Sequence, residues 1–86
     1  MIESAEVKDQ IREYVLEEFA KPKGIMQVTD QEILTKNGII DSMGIFRLVS
    51  FLEETFNVRV GDEEITHDNL ESIDAIERLV VAKSKK

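Results

Sequence analysis

Apolar residues recur at helical spacing from Ser42 to Phe56, and that stripe constrains the fold more than any other stretch of the chain. At about 100° per residue, Ile45, Leu48, Val49, Leu52 and Phe56 fall within about a 100° arc. A short helix with such a face owes its stability to burying it against other elements. Met43, Phe46, Arg47, Ser50 and Glu54 lie on a different face, with Glu53 next to it, and two of these residues are large and apolar. That second face reads as a contact surface for a partner.

The rest of the chain supplies elements for the stripe to pack on. Val7, Ile11, Val15 and Phe19 recur every four residues, with Tyr14 on the flank, and predict a helix from about Ser4 to Ala20. Ser4 is its expected cap, Glu6 and Asp9 suit its positive end, and Lys21-Pro22-Lys23-Gly24 stops it. Residues 22–41 form a long connection with much apolar surface (Ile25, Met26, Val28, Ile33, Leu34, Ile39, Ile40), expected to lie against the helices. A helical turn is expected near Gln31–Leu34, and a turn at Gly38. After Phe56, Asn57 is the expected C-cap and Val58-Arg59-Val60 an extended link. Asp62-Glu63-Glu64-Ile65 predicts one short helical turn. Ser72 is placed to cap a last helix whose buried face is Ile73, Ile76, Leu79 and Val80. The fold class expected is all-α: a small four-helix bundle of three main helices plus one short helix, with a long first loop. It is read as a single domain over 1–86, ordered from about 4 to 82 with a frayed tail at 83–86.

Composition excludes several functions. The 86 residues include no cysteine, so there is no disulfide framework, thiolate metal site or cysteine nucleophile. No apolar run approaches the roughly 20 residues that cross a bilayer, and no signal-peptide pattern opens the chain, so a soluble cytoplasmic protein is expected. Residues 41–77 hold ten acids against two arginines, a formal −8 in a chain whose total is −7. Such a field repels nucleic acid and anionic membranes and steers basic protein surfaces inward; it also serves solubility alone. No metal site is expected: the acids at 62–64 and 68 lack the ligand spacing of a calcium loop. His67 reads as a surface residue in a short polar connection. Adjacent Glu53 and Glu54 point in different directions, and no nucleophile–base pair is visible, so catalysis is not expected.

The Asp41-Ser42 step opens the striped helix, where backbone N–H groups lack partners and the dipole is positive. A serine there is read either as a helix cap or as a hydroxyl that accepts a phosphate ester, with Asp41 offering a hard oxygen to a magnesium ion. Small Gly44 is expected to leave room for an attached group or a docked enzyme.

The stretch GIIDSMGIFRLVSFLEETFNVRV resembles the acyl carrier proteins, including the related peptidyl and D-alanyl carriers. The resemblance rests on the Asp-Ser-Met step, the apolar spacing of Leu48, Val49 and Leu52, and the aromatic Phe56. The ending DEEIT…LESIDAIERLV looks like the family's short third helix and its last helix, so the match runs from about Ile33 to Val81. The resemblance implies that a phosphopantetheinyl transferase links 4′-phosphopantetheine from coenzyme A to Ser42, with Asp41 contacting the transferase or its magnesium. It further implies a monomer whose arm carries acyl or aminoacyl groups as thioesters between a loading ligase and downstream synthase or transferase enzymes. Two departures matter. Gly44 and Arg47 stand where fatty-acid-synthesis carriers usually have acids, and Phe46 is bulkier than the usual small aliphatic. The expectation is therefore a specialised carrier for a lipid, polyketide or peptide pathway. The alternatives are a housekeeping carrier of fatty acid synthesis and an unmodified helical interaction module in which Ser42 is only a cap.

Overall fold

The computed structural model describes residues 4–36 and 38–84, with side chains from Glu6 onward. Four α-helices are present among the described residues, and no strand: α1 (Ser4–Val15), α2 (Ser42–Phe56), α3 (His67–Leu70) and α4 (Ile73–Ser84). Three are substantial and one is a single turn, so the protein is a small all-α bundle, as the periodicity requires. The expected Ser4 cap falls on a side chain outside those described.

Helix α1 buries Val7, Ile11 and Val15 completely. It does not continue to Ala20 as an α-helix, as its periodicity predicts. Leu16–Ala20 widens into a π turn and Lys21–Lys23 tightens into a 3₁₀ turn, ended by Gly24 at φ +81°. The wider turn lets two consecutive residues, Phe19 and Ala20, both face the core. Pro22 falls inside the 3₁₀ turn and does not itself end the helix.

Helix α2 has the bounds its stripe predicts. Leu48 and Leu52 are fully buried, Val49 and Phe56 nearly so, and Ile45 packs partly against them. Asn57 ends it in the left-handed conformation (φ 55°, ψ 46°). A 3₁₀ turn over Asp62–Glu64 follows, where a short helical turn is expected. Next comes α3, which the sequence reading takes for a polar connection: Thr66 Oγ1 accepts from Asn69 N–H at 3.2 Å and opens this single turn. Ser72 then caps α4, its Oγ accepting from Ala75 N–H at 3.2 Å. Ile73, Ile76 and Val80 fill the core beneath it. Lys83 is still helical and pairs with Glu64 at 2.6 Å, so order runs past the expected limit at 82. Lys85 and Lys86 lie outside the described residues.

The long connection packs inward through Val28, Leu34, Ile39 and Ile40, which lie in the core, whereas Met26 stays exposed rather than lying against the helices as expected. The expected helical turn at Gln31–Leu34 does not form. Leu34 N–H instead donates to Glu71 O at 2.8 Å, and Asp74 N–H donates to Asp30 O at 3.0 Å. Both bonds tie the loop to the start of α4, and a local helix would have to break them. Lys8 meets Asp74 at 2.9 Å, and Arg12 pairs with Asp30, so α1 holds the same region by charge.

Candidate functional site

Leu34 is also the hub that delivers the chain to α2. Its carbonyl accepts from both Ile39 N–H (3.0 Å) and Ile40 N–H (3.2 Å). Gly38 makes the turn between them possible at φ +73°. Lys23 reaches over from the end of the first helical stretch and donates to Gly38 O and, at 3.1 Å, to Ile39 O. The stretch Gly38–Ile40 is therefore held by Leu34 on one side and Lys23 on the other.

Asp41, rather than Ser42, caps α2. Its Oδ1 accepts from Gly44 N–H at 2.8 Å and its carbonyl accepts from Ile45 N–H at 3.0 Å. Ser42 is the first helical residue, exposed, and outside the cap. Of the two roles open to Ser42 in the sequence, that of helix cap is excluded: the Asp41 carboxylate takes it one residue earlier. The cap also engages one oxygen of Asp41, leaving Oδ2 for an external cation. Among the described residues no group of three or more acids or histidines could hold a metal ion. A magnesium ion contacting Asp41 would take its other ligands elsewhere.

Gly44 does not leave room for an attached group, as its size alone predicts. It is buried, and a Cβ there would lie 2.9 Å from the Phe19 ring and 3.0 Å from Ile40 Cγ2. Its smallness brings α2 down onto Phe19, and that contact fixes the height at which Ser42 emerges.

On the other side of Ser42 a cavity of about 370 Å³ opens between the start of α2 and the 65–70 segment. Ile40, Ile45, Ile65 and Leu70 give it apolar walls; Thr35, Asp41, Ser42, Thr66 and His67 complete the lining. His67 is exposed, and its Nε2 lies 3.3 Å from Glu71 Oε1. The sequence reading places His67 on the surface but does not bring it to Ser42. The signal available was Thr66, a cap-forming residue three positions before Asn69.

The expected partner face is split by the structure. Met43 and Phe46 are 72 % and 60 % exposed, large values for such apolar side chains. Ser50 and Glu54 are exposed beside them. Arg47 has intramolecular partners: Nη2 donates to Glu18 Oε1 at 2.7 Å and the guanidinium lies 5.0 Å from the Phe19 ring centre. Glu53 is half-buried and accepts from Val60 N–H at 2.9 Å, which fixes the link after α2. Tyr14 stacks on Phe51 at 3.9 Å and its hydroxyl donates to Arg47 O at 3.3 Å. Burial raises the Tyr14 phenol above its ordinary value, with Arg47 opposing the shift and Glu18 adding to it. The face is therefore an apolar ridge, Met43–Phe46, bordered by an arginine whose side chain is already engaged with the π turn that follows α1.

No helix among the described residues is long and apolar enough to cross a membrane. No protein-family model matches the chain, and no curated protein does.

Proposed function

We propose that the chain is a carrier protein, similar to the acyl carrier proteins, that accepts 4′-phosphopantetheine on Ser42. The observation that carries the reading is the Ser42 hydroxyl itself: exposed, left out of the helix cap, and standing at a rigidly held helix start on the wall of a half-apolar cavity. These residues fit the group. The exposed Oγ is the attachment atom, the unpaired N–H groups at the start of α2 favour the anionic phosphate, and Ile45, Ile65 and Leu70 offer apolar surface to the arm. When bound, the arm supplies the thiol that this cysteine-free chain lacks, for holding acyl or aminoacyl cargo as a thioester.

Asp41 orients the serine by capping the helix and presents its second oxygen to the metal of a phosphopantetheinyl transferase. Met43 and Phe46 form the apolar part of the docking surface for that transferase, a loading ligase and downstream enzymes, with Ser50 and Glu54 at its edge. Arg47 gives this surface a cation where housekeeping carriers have an acid, and Gly44 removes a second acid. Both favour a dedicated lipid, polyketide or peptide pathway over general fatty acid synthesis. The reading is of a cytoplasmic monomer that carries rather than catalyses.

A second reading rests on the same exposed ridge. Met43 and Phe46 would serve an unmodified interaction module equally well. Incubation with coenzyme A, magnesium and a broad-specificity phosphopantetheinyl transferase separates the two. Intact-mass measurement is expected to show one phosphopantetheine on the wild type and none on Ser42→Ala. A wild type that gains nothing favours the interaction module.

A further inference from the structure

Away from Ser42, another cavity of about 240 Å³ opens where α1 meets α2. Its floor is the ring pair Tyr14 and Phe51, stacked at 3.9 Å and half-buried. Its rim is Gln10, Glu13, Glu17 and Glu18, all exposed. With Tyr14 these four recur at helical spacing, so one face of α1 and of the π turn behind it brings three carboxylates to the same opening. Two of them are engaged through one oxygen each: Glu17 Oε2 meets Lys21, and Glu18 Oε1 meets Arg47. Glu13 has no hydrogen-bond or ion-pair partner among the described residues. With both cations counted, the rim still keeps an unbalanced negative charge beside an aromatic floor.

We infer that this cavity is a docking site for an arginine side chain on a basic partner protein. The occupant needs an apolar stem to lie on the rings and a cationic head to meet the rim. An anion is repelled there, and a purely apolar group strips water from the carboxylates without pairing them. Arginine has the stem, and its flat fork of five N–H donors reaches several carboxylate oxygens at once. It also packs flat on aromatic surface, whereas the lysine ammonium is a strongly hydrated point charge. The formal −7 of the chain steers a basic partner inward, and the cavity gives it one place to register. The site does not involve Ser42 and is independent of the carrier reading.

The test is amide NMR on the full chain, titrated with an end-blocked peptide of one arginine among alanines. Saturable shifts are expected at Gln10, Glu13, Tyr14, Glu17 and Phe51. Two further probes dissect the match: the same peptide with citrulline keeps the shape and loses the charge, and methylguanidinium keeps the head and loses the stem. Each is expected to bind at least about fivefold more weakly. Glu13→Lys, at an exposed position, is expected to abolish binding with the fold retained. Glu63→Lys makes the same charge change on the Asp62–Glu64 turn, outside the cavity lining, and is expected to keep the binding. Equal losses in the two variants, shifts centred elsewhere, no saturable shift, or either further probe binding as well as arginine overturns the inference.

Discussion

On one flank of Ser42 the end of the first helical stretch is locked onto α2, whereas on the other the His67 segment stands away from it across a cavity. The locked flank uses several kinds of contact. Phe19 presses on Gly44, Arg47 spans from Phe19 to Glu18, Tyr14 stacks on Phe51, and Lys23 holds the carbonyls of Gly38 and Ile39. The open flank has a one-turn helix, an exposed histidine and about 370 Å³ of space. The contrast teaches how a small bundle can hold one atom still and keep room beside it. On the proposed carrier reading, the fixed atom is the base of a tether and the space beside it is where the tethered group lies.

The sharpest way to break this contrast is to empty one flank at a time. Phe19→Ala is expected to cost about 3–5 kcal/mol, the usual range for a buried ring, read from urea unfolding. Ile65→Ala, on the half-buried wall of the cavity, is expected to cost clearly less. Equal losses would mean the two flanks are packed alike. Next in size is the cap. Asp41→Ala is expected to destabilise by about 0.5–2 kcal/mol, while Ser42→Ala stays within about 0.5 kcal/mol, as an exposed substitution away from the cap should. The reverse ranking would return the cap to Ser42.

Arg47→Glu is a smaller perturbation of the fold. The pair with Glu18 is about half exposed on both sides, so its loss is expected to cost no more than about 1 kcal/mol. The same variant should change which loading enzymes accept the protein, measured as relative loading rates. A cooperative collapse of the fold would instead make Arg47 a structural lock. The smallest effect is alkaline. Burial holds the Tyr14 phenol above its ordinary 10.0, so the fold favours the neutral form. That contribution is complete below the unfolded value and is lost as pH rises through the raised folded value. Tyr14→Phe is expected to flatten the loss of thermal stability above pH 10; an unchanged slope would show that Tyr14 does not cause it.

What was legible in the sequence was local in origin. The bounds of α2, the left-handed Asn57, the Ser72 cap and the turn at Asp62–Glu64 each follow from residues within a few positions of one another. What was not legible depends on distant partners. Gly44 is small because Phe19, far back in the chain, lies against it. Leu34 avoids a helical turn because its N–H is claimed by Glu71. The π turn at Leu16–Ala20 answers the need to bury Phe19 and Ala20 together, which a four-residue periodicity does not reveal. At the site, Ser42 and Asp41 could be picked out from the motif, but their division of labour could not, because a cap is decided by backbone geometry. His67 joined the site only once α3 brought its segment up to α2.

Localising the modification tests the central claim most directly. Protein loaded from coenzyme A is digested, and the peptide spanning Asp41–Met43 is fragmented by tandem mass spectrometry. The account predicts the phosphopantetheine mass on Ser42 and on no other hydroxyl. Its appearance on a different serine, or a Ser42 that stays bare in the presence of an active transferase, would contradict the account.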